Sequence, residues 1–251
     1  MAHKKKQLEE MLEKFISNIF FVPVMGAELE FYHESLVIED AIVKCIASGI
    51  GIDAIYAEEG KFQYEVSFRK TANIVQLACD IEKFKQIIDG DFSAKPYEDD
   101  YGNSMQIHVS LLDKEQVNIF EKAGEGESSS MQNAIAGLLD TMLDNMHIFA
   151  PNVNCYNRLS KGKGAPSTVS WGGNNRTVAL RLPVTTIDPQ NRRIEHRVSS
   201  ADADAYLVIG AILGGLTKGI LEKKLPKSPK IYGDASLDMY GLPSLLIESK
   251  K

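Results

Sequence analysis

Apolar residues recur every three or four positions in several stretches of the chain, a spacing that predicts helices. The clearest helix covers 72–88, where Ile74, Leu77, Ile81 and Phe84 share one face and Gly90 lies beyond the end. Further helices are predicted at 7–18, within a leading segment 1–20, at 39–48, from the serines at 128–130 to about 146, and at the strongly apolar 203–222.

Other stretches read as strands. An extended run covers 21–32, and 53–58 and 62–68 form a predicted hairpin joined by a turn at Glu59 and Gly60. Further strands are expected at 106–112, 177–182 and 193–198, and the proline-containing tail 225–251 is expected to be irregular. Because strands and helices alternate without a regular order, and no linker or repeat interrupts them, the sequence predicts one α+β domain over 1–251.

Composition narrows the class of protein. The 251 residues are 44% hydrophobic, and 28 basic against 34 acidic residues give a net charge of -6, which disfavours binding to nucleic acids or anionic membranes. No apolar stretch is expected to reach membrane-spanning length. Cys45, Cys79 and Cys155 are far apart, so a disulfide framework and a thiolate zinc site are not expected. These features predict a cytoplasmic protein.

Glutamates stand in strand-like segments where burial would be costly without a cation, a proton or a hydrogen-bond partner. Glu28 and Glu30 are two residues apart and so share one strand face, while Glu58 and Glu65 lie on the two strands of the predicted hairpin. Together with Glu195, they predict a divalent-metal site. The competing interpretation is an amphipathic strand with its glutamates in water.

Arginines crowd the last hundred residues, several of them in strand-like segments. Guanidinium groups bind phosphate and carboxylate groups bidentately, so acidic and basic strands together indicate a site for metal, nucleotide phosphate and a carboxylate substrate. Internal salt bridges are the alternative explanation. The arginines are Arg158, Arg176, Arg181, Arg193 and Arg197, and the last two share a strand face with Glu195.

Seven ordered segments resemble the catalytic domain of glutamine synthetase. They are 26–32 (Gly-Ala-Glu-Leu-Glu-Phe-Tyr), 63–65 (Gln-Tyr-Glu), 94–96 (Ala-Lys-Pro), 102–111 with His-Val-Ser at 108–110, 152–159, 175–183 beginning Asn-Arg, and 192–197. The resemblance implies a fold related to the guanidino kinases, with a curved, mainly antiparallel sheet around a funnel-shaped site. It also implies ATP-dependent carboxylate–amine ligation through a γ-glutamyl phosphate, with Mg²⁺ or Mn²⁺.

The resemblance assigns roles residue by residue. It implies that Glu30, Glu58 and Glu65 bind the metal that organises the amino-acid substrate, and that Glu28 and Glu195 bind a second metal at the nucleotide phosphates. It places Asp53, His108, Ser110 and Arg193 on the nucleotide side, Gly102 and Arg158 on the amino-acid side, and Arg176, Arg181 and Arg197 around the transferred phosphoryl group.

The sequence also departs from the family pattern. Gln106 replaces a histidine expected at the second metal, and Tyr101 replaces a substrate-side asparagine. In the glycine-rich loop 160–166, which should close over the site, Gly164 replaces an acidic residue that helps to bind ammonium, and the loop carries Lys161 and Lys163 instead. The family's N-terminal β-grasp domain and C-terminal helices are not recognised.

The departures leave several functions open. The leading hypothesis is a glutamate–ammonia or glutamate–amine ligase of altered specificity. The alternatives are a nucleotide- or glutamate-binding regulatory protein, a half-enzyme completed by a partner chain, and a structural remnant whose charges pair with one another. A homo-oligomer is also possible.

Overall fold

A computed structural model describes residues 2–121, 126–161, 163–184 and 188–246. Within these ranges, seven strands form one sheet in the order β2-β3-β1-β4-β7-β6-β5. Every neighbouring pair is antiparallel except β5 and β6. The mainly antiparallel α+β architecture is therefore confirmed. The strands are β1 (Val22–Tyr32), β2 (Ile52–Ala57), β3 (Gln63–Thr71), β4 (Met105–Leu112), β5 (Trp171–Gly172), β6 (Leu180–Arg181) and β7 (Ile194–His196).

Helices form the second layer. They are α1 (Ala2–Ile19), α2 (Ile38–Ala47), α3 (Ile74–Ile87), α4 (Ser129–Met142), α5 (Met146–Phe149), α6 (Val153–Lys161) and α7 (Ala205–Glu222). Side chains cap three of their first turns: Asn73, Ser128 and Asp204 accept hydrogen bonds from backbone N–H groups of α3, α4 and α7. Of these, the sequence predicted the serine cap of α4.

The core helix α7 packs against α1, α3 and α4. It corrects the expectation that no apolar stretch has membrane-spanning length, because its 18 residues have a mean hydropathy of 1.4. However, 56% of this helix is buried inside the protein. The apolar character of α7 is thus used in the core of this fold.

Glycines allow α7 and α4 to approach each other closely. A Cβ atom added to Gly137 would lie 2.1 Å from the carbonyl oxygen of Gly215, and one added to Gly219 would lie 2.0 Å from that of Asn133. Both distances are far inside van der Waals contact. The two backbones therefore touch where each helix lacks a side chain.

Several boundaries differ from the prediction. The helix expected to reach about 146 ends at Met142, and α5 and α6 follow it without having been predicted. The strands expected at 177–182 and 193–198 shorten to β6 and β7. Outside the described ranges lie residues 122–125, residue 162 of the glycine-rich loop 160–166, and residues 247–251 of the predicted tail.

The tail is more ordered than expected. Ile231 N donates to Trp171 O (2.9 Å), and Val169 N donates to Pro243 O (2.8 Å). A short 3-10 helix covers Asp238–Tyr240. The segment 226–246, named here the C-terminal strap, thus runs along the β5 edge of the sheet.

Candidate active site

Carboxylates converge on one face of the sheet through strand register. Glu30 of β1 is the direct cross-strand partner of Glu65 on β3, and Glu28 is the partner of Gln106 on β4. His108 and Arg181 are both cross-strand partners of Glu195 on β7. Residues paired in this way point to the same face, so the register gathers groups that lie far apart in the sequence.

The first cavity contains most of the residues predicted for the nucleotide side. Glu28, Asp53, His108, Ser110 and Arg193 all line it. Its other polar lining residues are Ser67, Lys70, Gln190 and Asn191.

His108 connects two charged groups within the first cavity. Its Nδ1 accepts a hydrogen bond from Arg193 Nε (3.1 Å), so the neutral ring carries its hydrogen on Nε2. Nε2 lies 3.2 Å from Glu28 Oε1. Burial acts to raise the pKa of Glu28, but His108, Arg193 and Arg181 outweigh it, and the pKa lies below its usual value.

The second cavity contains Gly102 and Arg158, which were predicted for the amino-acid side, and Glu30 and Glu58 of the metal site predicted beside it. Arg197, predicted near the transferred phosphoryl group, also lines this cavity, whereas Glu65 lines neither cavity. The remaining lining residues are Gln63, Tyr101, Ser104, Gln106 and the loop residues Lys163, Gly164, Ala165 and Pro166.

Gly102 is required by its contact with Arg158. A Cβ atom at position 102 would lie 2.6 Å from Arg158 Cγ and 2.7 Å from Ala94 O. Arg158 is 3% exposed and is held by Ser200 Oγ, which accepts from its Nε (3.2 Å), and by Val198 O. The glycine therefore gives the guanidinium room beside the second cavity.

Gly164 contributes its backbone to the second cavity. Its φ of +73° lies in the left-handed region that favours glycine. Its carbonyl oxygen accepts a hydrogen bond from Arg197 Nη2 (3.0 Å). The residue that replaces the expected acidic side chain thus interacts with Arg197 through its main chain.

Glu30 and Glu65 are both in an environment that raises the pKa of their carboxyl groups, and the charges around Glu65 are negative. Burial and the neighbouring Glu28, Glu30, Glu58 and Glu195 raise the pKa of Glu65 to about 9. Burial also raises the pKa of Glu30, despite hydrogen bonds from Ser104. Ser104 N donates to Glu30 Oε2 (2.6 Å).

This part of the site fits a divalent cation. Glu30, Glu58 and Glu65 supply hard oxygen donors, and their mutual repulsion is what a bound cation would relieve. Among the residues that the structure describes, no three Asp, Glu, His or Cys side chains are close enough together to bind one metal ion as they stand.

Glu28 and Glu195 do not fit a second cation in this arrangement. Glu195 is fully buried, and its two carboxylate oxygens accept from Arg181 Nη1 (2.7 Å) and from Arg197 Nη1. Both carboxylate oxygens of Glu195 are therefore bound by guanidinium groups, and neither is free to bind the predicted second metal.

Arg176 is the predicted residue that the structure leaves apart from the others. It is exposed in the turn before β6 and lines neither cavity, whereas Arg181 and Arg197 meet at Glu195. Asp53 lies at an exposed rim of the first cavity, 3.4 Å from Arg69 Nε.

Sequence reasoning missed several residues that shape the site. Lys70 lines the first cavity, and its Nζ donates to Asn191 Oδ1 (2.8 Å). Asn118 is fully buried and its Nδ2 donates to Gln190 O (2.9 Å) and Arg192 O (2.7 Å), which fixes the turn before Arg193. In the sequence, the polar Asn118 beside the apolar Ile119 and Phe120 gives only a weak indication that it holds this turn.

Comparison with known proteins shows the family of the chain. The catalytic domain of glutamine synthetase matches residues 27–239. The chain therefore belongs to the glutamine synthetase family.

Individual relatives are ligases of several amines. The chain is 36% identical over 203 residues to gamma-glutamylputrescine synthetase of Escherichia coli (77% of this chain, 42% of that protein). It is 35% identical over 186 residues to glutamine synthetase of Pyrococcus abyssi (71% and 42%). It is 33% identical over 199 residues to glutamate–isopropylamine ligase of a Pseudomonas species (75% and 42%). The chain thus spans less than half the length of these relatives.

A solved structure shares the fold. A GmaS–ADP complex superposes with a TM-score of 0.82 at 21% sequence identity, covering 96% of this chain and 64% of that one. The fold class inferred from the sequence is confirmed by this likeness.

Proposed function

We propose that this protein is an ATP-dependent ligase that joins glutamate, or a similar amino acid, to an amine. One observation carries the proposal. Glu28 lines the first cavity and Glu30 lines the second, and the two residues share one face of β1. Same-face neighbours on a strand are about 7 Å apart, so the two cavities adjoin along a short row of carboxylates.

The two cavities would divide the substrates between them. ATP would occupy the first, with Asp53, His108, Ser110 and Arg193 around it. The amino acid would occupy the second, beside Gly102 and Arg158. This division brings the terminal phosphate and the substrate carboxylate together at the row of glutamates, which is the positioning that phosphoryl transfer needs.

The reaction would proceed in two displacements. An oxygen of the substrate γ-carboxylate attacks the terminal phosphorus of ATP, and ADP leaves with the bridging oxygen. The amine nitrogen then attacks the acyl carbon, phosphate leaves, and the amine loses a proton. Arg181 and Arg197, and Arg176 by the family resemblance, would stabilise the negative charge on the transferred group.

Mg²⁺ or Mn²⁺ would neutralise charge and orient oxygens at Glu30, Glu58 and Glu65.

Lys163 and Gly164 support a second candidate function. They bring a cation and a backbone carbonyl to the second cavity at the loop where the family resemblance predicts a carboxylate. Ammonium capture is favoured by negative charge, so this loop argues for a different amine or for a regulatory protein that binds nucleotide and glutamate without turnover.

Calorimetry followed by product analysis tests the proposal. We expect a non-hydrolysable ATP analogue with Mg²⁺ to bind the wild-type chain, and Arg193→Ala to weaken binding at least tenfold. Glu13→Gln, an exposed change on α1, is the matched control. Failure of the analogue to bind the folded wild-type chain would refute the proposal.

Product analysis then separates the two candidates. The wild-type chain would be incubated with ATP, glutamate and ammonium, putrescine, isopropylamine or ethanolamine, and γ-glutamyl products measured by mass spectrometry. Product formation that Arg158→Ala abolishes supports the ligase. Nucleotide binding without product from any amine would favour the regulatory protein.

A further inference from the structure

Glu195 is the centre of a buried ionic cluster. It is 0% exposed, and each of its carboxylate oxygens receives one guanidinium N–H group, from Arg181 at 2.7 Å and from Arg197. Arg181 is itself held in place by Asn174 Oδ1, which accepts from its Nε (3.1 Å) and its Nη2 (2.6 Å). The carboxylate is thus fully paired before any ligand arrives.

Gln106 joins this cluster to the candidate cation site. Its Oε1 accepts from Arg197 Nη1 (3.1 Å), while its Nε2 donates to Glu30 Oε1 (3.2 Å) and Ser104 Oγ (3.0 Å). The amide oxygen, which is the only atom through which this side chain could ligate a cation, is therefore engaged by a guanidinium.

The site has two parts, one around Glu28 and Glu195 and the other around Glu30, Glu58 and Glu65, and their net charges differ in sign. Around Glu28 and Glu195 stand Arg181, Arg193 and Arg197, so permanent cations outnumber carboxylates there. A divalent cation entering this part would have to displace a guanidinium from a fully buried carboxylate and leave a buried charge without its partner. On Glu65, by contrast, the neighbouring charges that act are those of other glutamates, and Arg158 is the cation that acts on Glu30.

We propose that Arg181 and Arg197 take the place of a second divalent cation, so that each chain binds one cation, at Glu30, Glu58 and Glu65. The two guanidinium groups share the single charge of Glu195 and so keep positive charge for a bound phosphate. Gln106 holds Arg197 and Glu30 in register across this boundary. Only the phosphate role rests on the proposed ligase function; the number of bound cations does not.

Titration with Mn²⁺ alone, followed by electron paramagnetic resonance of the free ion, tests this inference. Nucleotide is left out because it carries metal itself. We expect the full wild-type chain to bind one Mn²⁺. Glu65→Gln should reduce this to none, whereas Glu28→Gln and Glu195→Gln should still bind one. Thermal unfolding of each variant checks that it is folded, and Glu28→Gln serves if Glu195→Gln does not fold.

A gain-of-site variant provides the positive arm. The double variant Gln106→His with Arg197→Gln frees one oxygen of Glu195 and supplies an imidazole, and we expect it to bind two Mn²⁺. The inference would be overturned if the wild-type chain bound two Mn²⁺ ions or none. It would also be overturned if Glu28→Gln lost the bound ion. Two ions with γ-glutamyl product formed would leave the ligase proposal standing. One ion without nucleotide binding would refute that proposal alone.

Discussion

Glu30 and Glu65 are direct cross-strand partners on β1 and β3, and both carboxyl groups have a raised pKa. Like charges placed opposite each other in an antiparallel pair are destabilising. Without a ligand, this pair is therefore expected to destabilise the fold, while it concentrates carboxyl groups at the site.

Replacing Glu65 tests that cost through pH. In the folded chain its pKa is raised to about 9 from the ordinary 4.5, so the group binds its proton more tightly when folded. The stabilising effect of this proton is fully present below pH 4.5 and is lost as pH rises towards 9. In chelator-treated protein, we expect the free energy of unfolding of the wild type to fall relative to Glu65→Gln by about 4 kcal/mol between pH 5 and pH 8, because one extra bound proton contributes about 1.4 kcal/mol per pH unit.

Urea unfolding at the two pH values measures this difference. Glu13→Gln on α1 controls for the loss of a carboxylate in general, because its side chain is exposed. Parallel pH profiles for the wild type and Glu65→Gln would show that burial and the neighbouring carboxylates do not raise the pKa of Glu65 as described.

The contact between α4 and α7 predicts opposite outcomes for two glycines of one helix. Gly219→Ala would place its Cβ 2.0 Å from Asn133 O and should destabilise the protein by about 3 kcal/mol or more. Gly214→Ala meets nothing within 4 Å and should stabilise it by about 0.5–1 kcal/mol through helix propensity. Thermal unfolding of both variants measures the difference, and equal shifts would contradict the close approach of the helices.

The space beside Arg158 can be tested in the same way. Gly102→Ala places its Cβ 2.6 Å from Arg158 Cγ, so we expect glutamate binding to weaken at least tenfold as the guanidinium is displaced. Gly173→Ala is the matched control, since its nearest neighbour would be Lys230 Cε at 3.5 Å. Calorimetric titration with glutamate and an ATP analogue gives both affinities. If the glutamate affinity of Gly102→Ala were unchanged, Arg158 would not be part of the amino-acid binding site.

Asn118 should act on nucleotide binding without touching the nucleotide. Asn118→Ala removes the donors to Gln190 O and Arg192 O, and we expect it to destabilise the protein by about 1–3 kcal/mol. It should also weaken binding of the ATP analogue, because the turn before Arg193 loses its anchor. Asn145→Ala, which loses a single bond to Thr141 O, controls for amide removal. Nucleotide affinity that does not change would limit Asn118 to stability.

The sequence predicted the parts of this site that depend on local periodicity. Glu28 and Glu30 share a face because strand residues alternate, and the hairpin turn between β2 and β3 sets Glu65 near Glu58. The pairing of β3 with β1, which places Glu65 opposite Glu30, is not part of that local pattern. The contacts of Gln106 could not be predicted, because its partners Glu30 on β1 and Arg197 just after β7 are brought to it by the order of strands in the sheet. Arg176 was expected among the phosphoryl-binding residues, but the strand near it spans only Leu180–Arg181, so alternation gives no information at position 176.

The pairing of Glu195 was likewise hidden in the sequence. Arg197 two residues away indicated a shared face, which the structure bears out through their ion pair. Arg181 meets the same carboxylate because β6 pairs with β7 in one particular register. Salt bridging, the alternative interpretation of the charged strands, therefore holds for this part of the site.

The C-terminal strap covers an edge of the sheet with which another chain could otherwise pair. β5 would otherwise end the sheet with free N–H and C=O groups, a template on which another chain can add a strand. Because Ile231 and Pro243 hydrogen-bond to this margin, cleavage near residue 225 would uncover it. The strap thus protects the protein against aggregation as well as completing its fold.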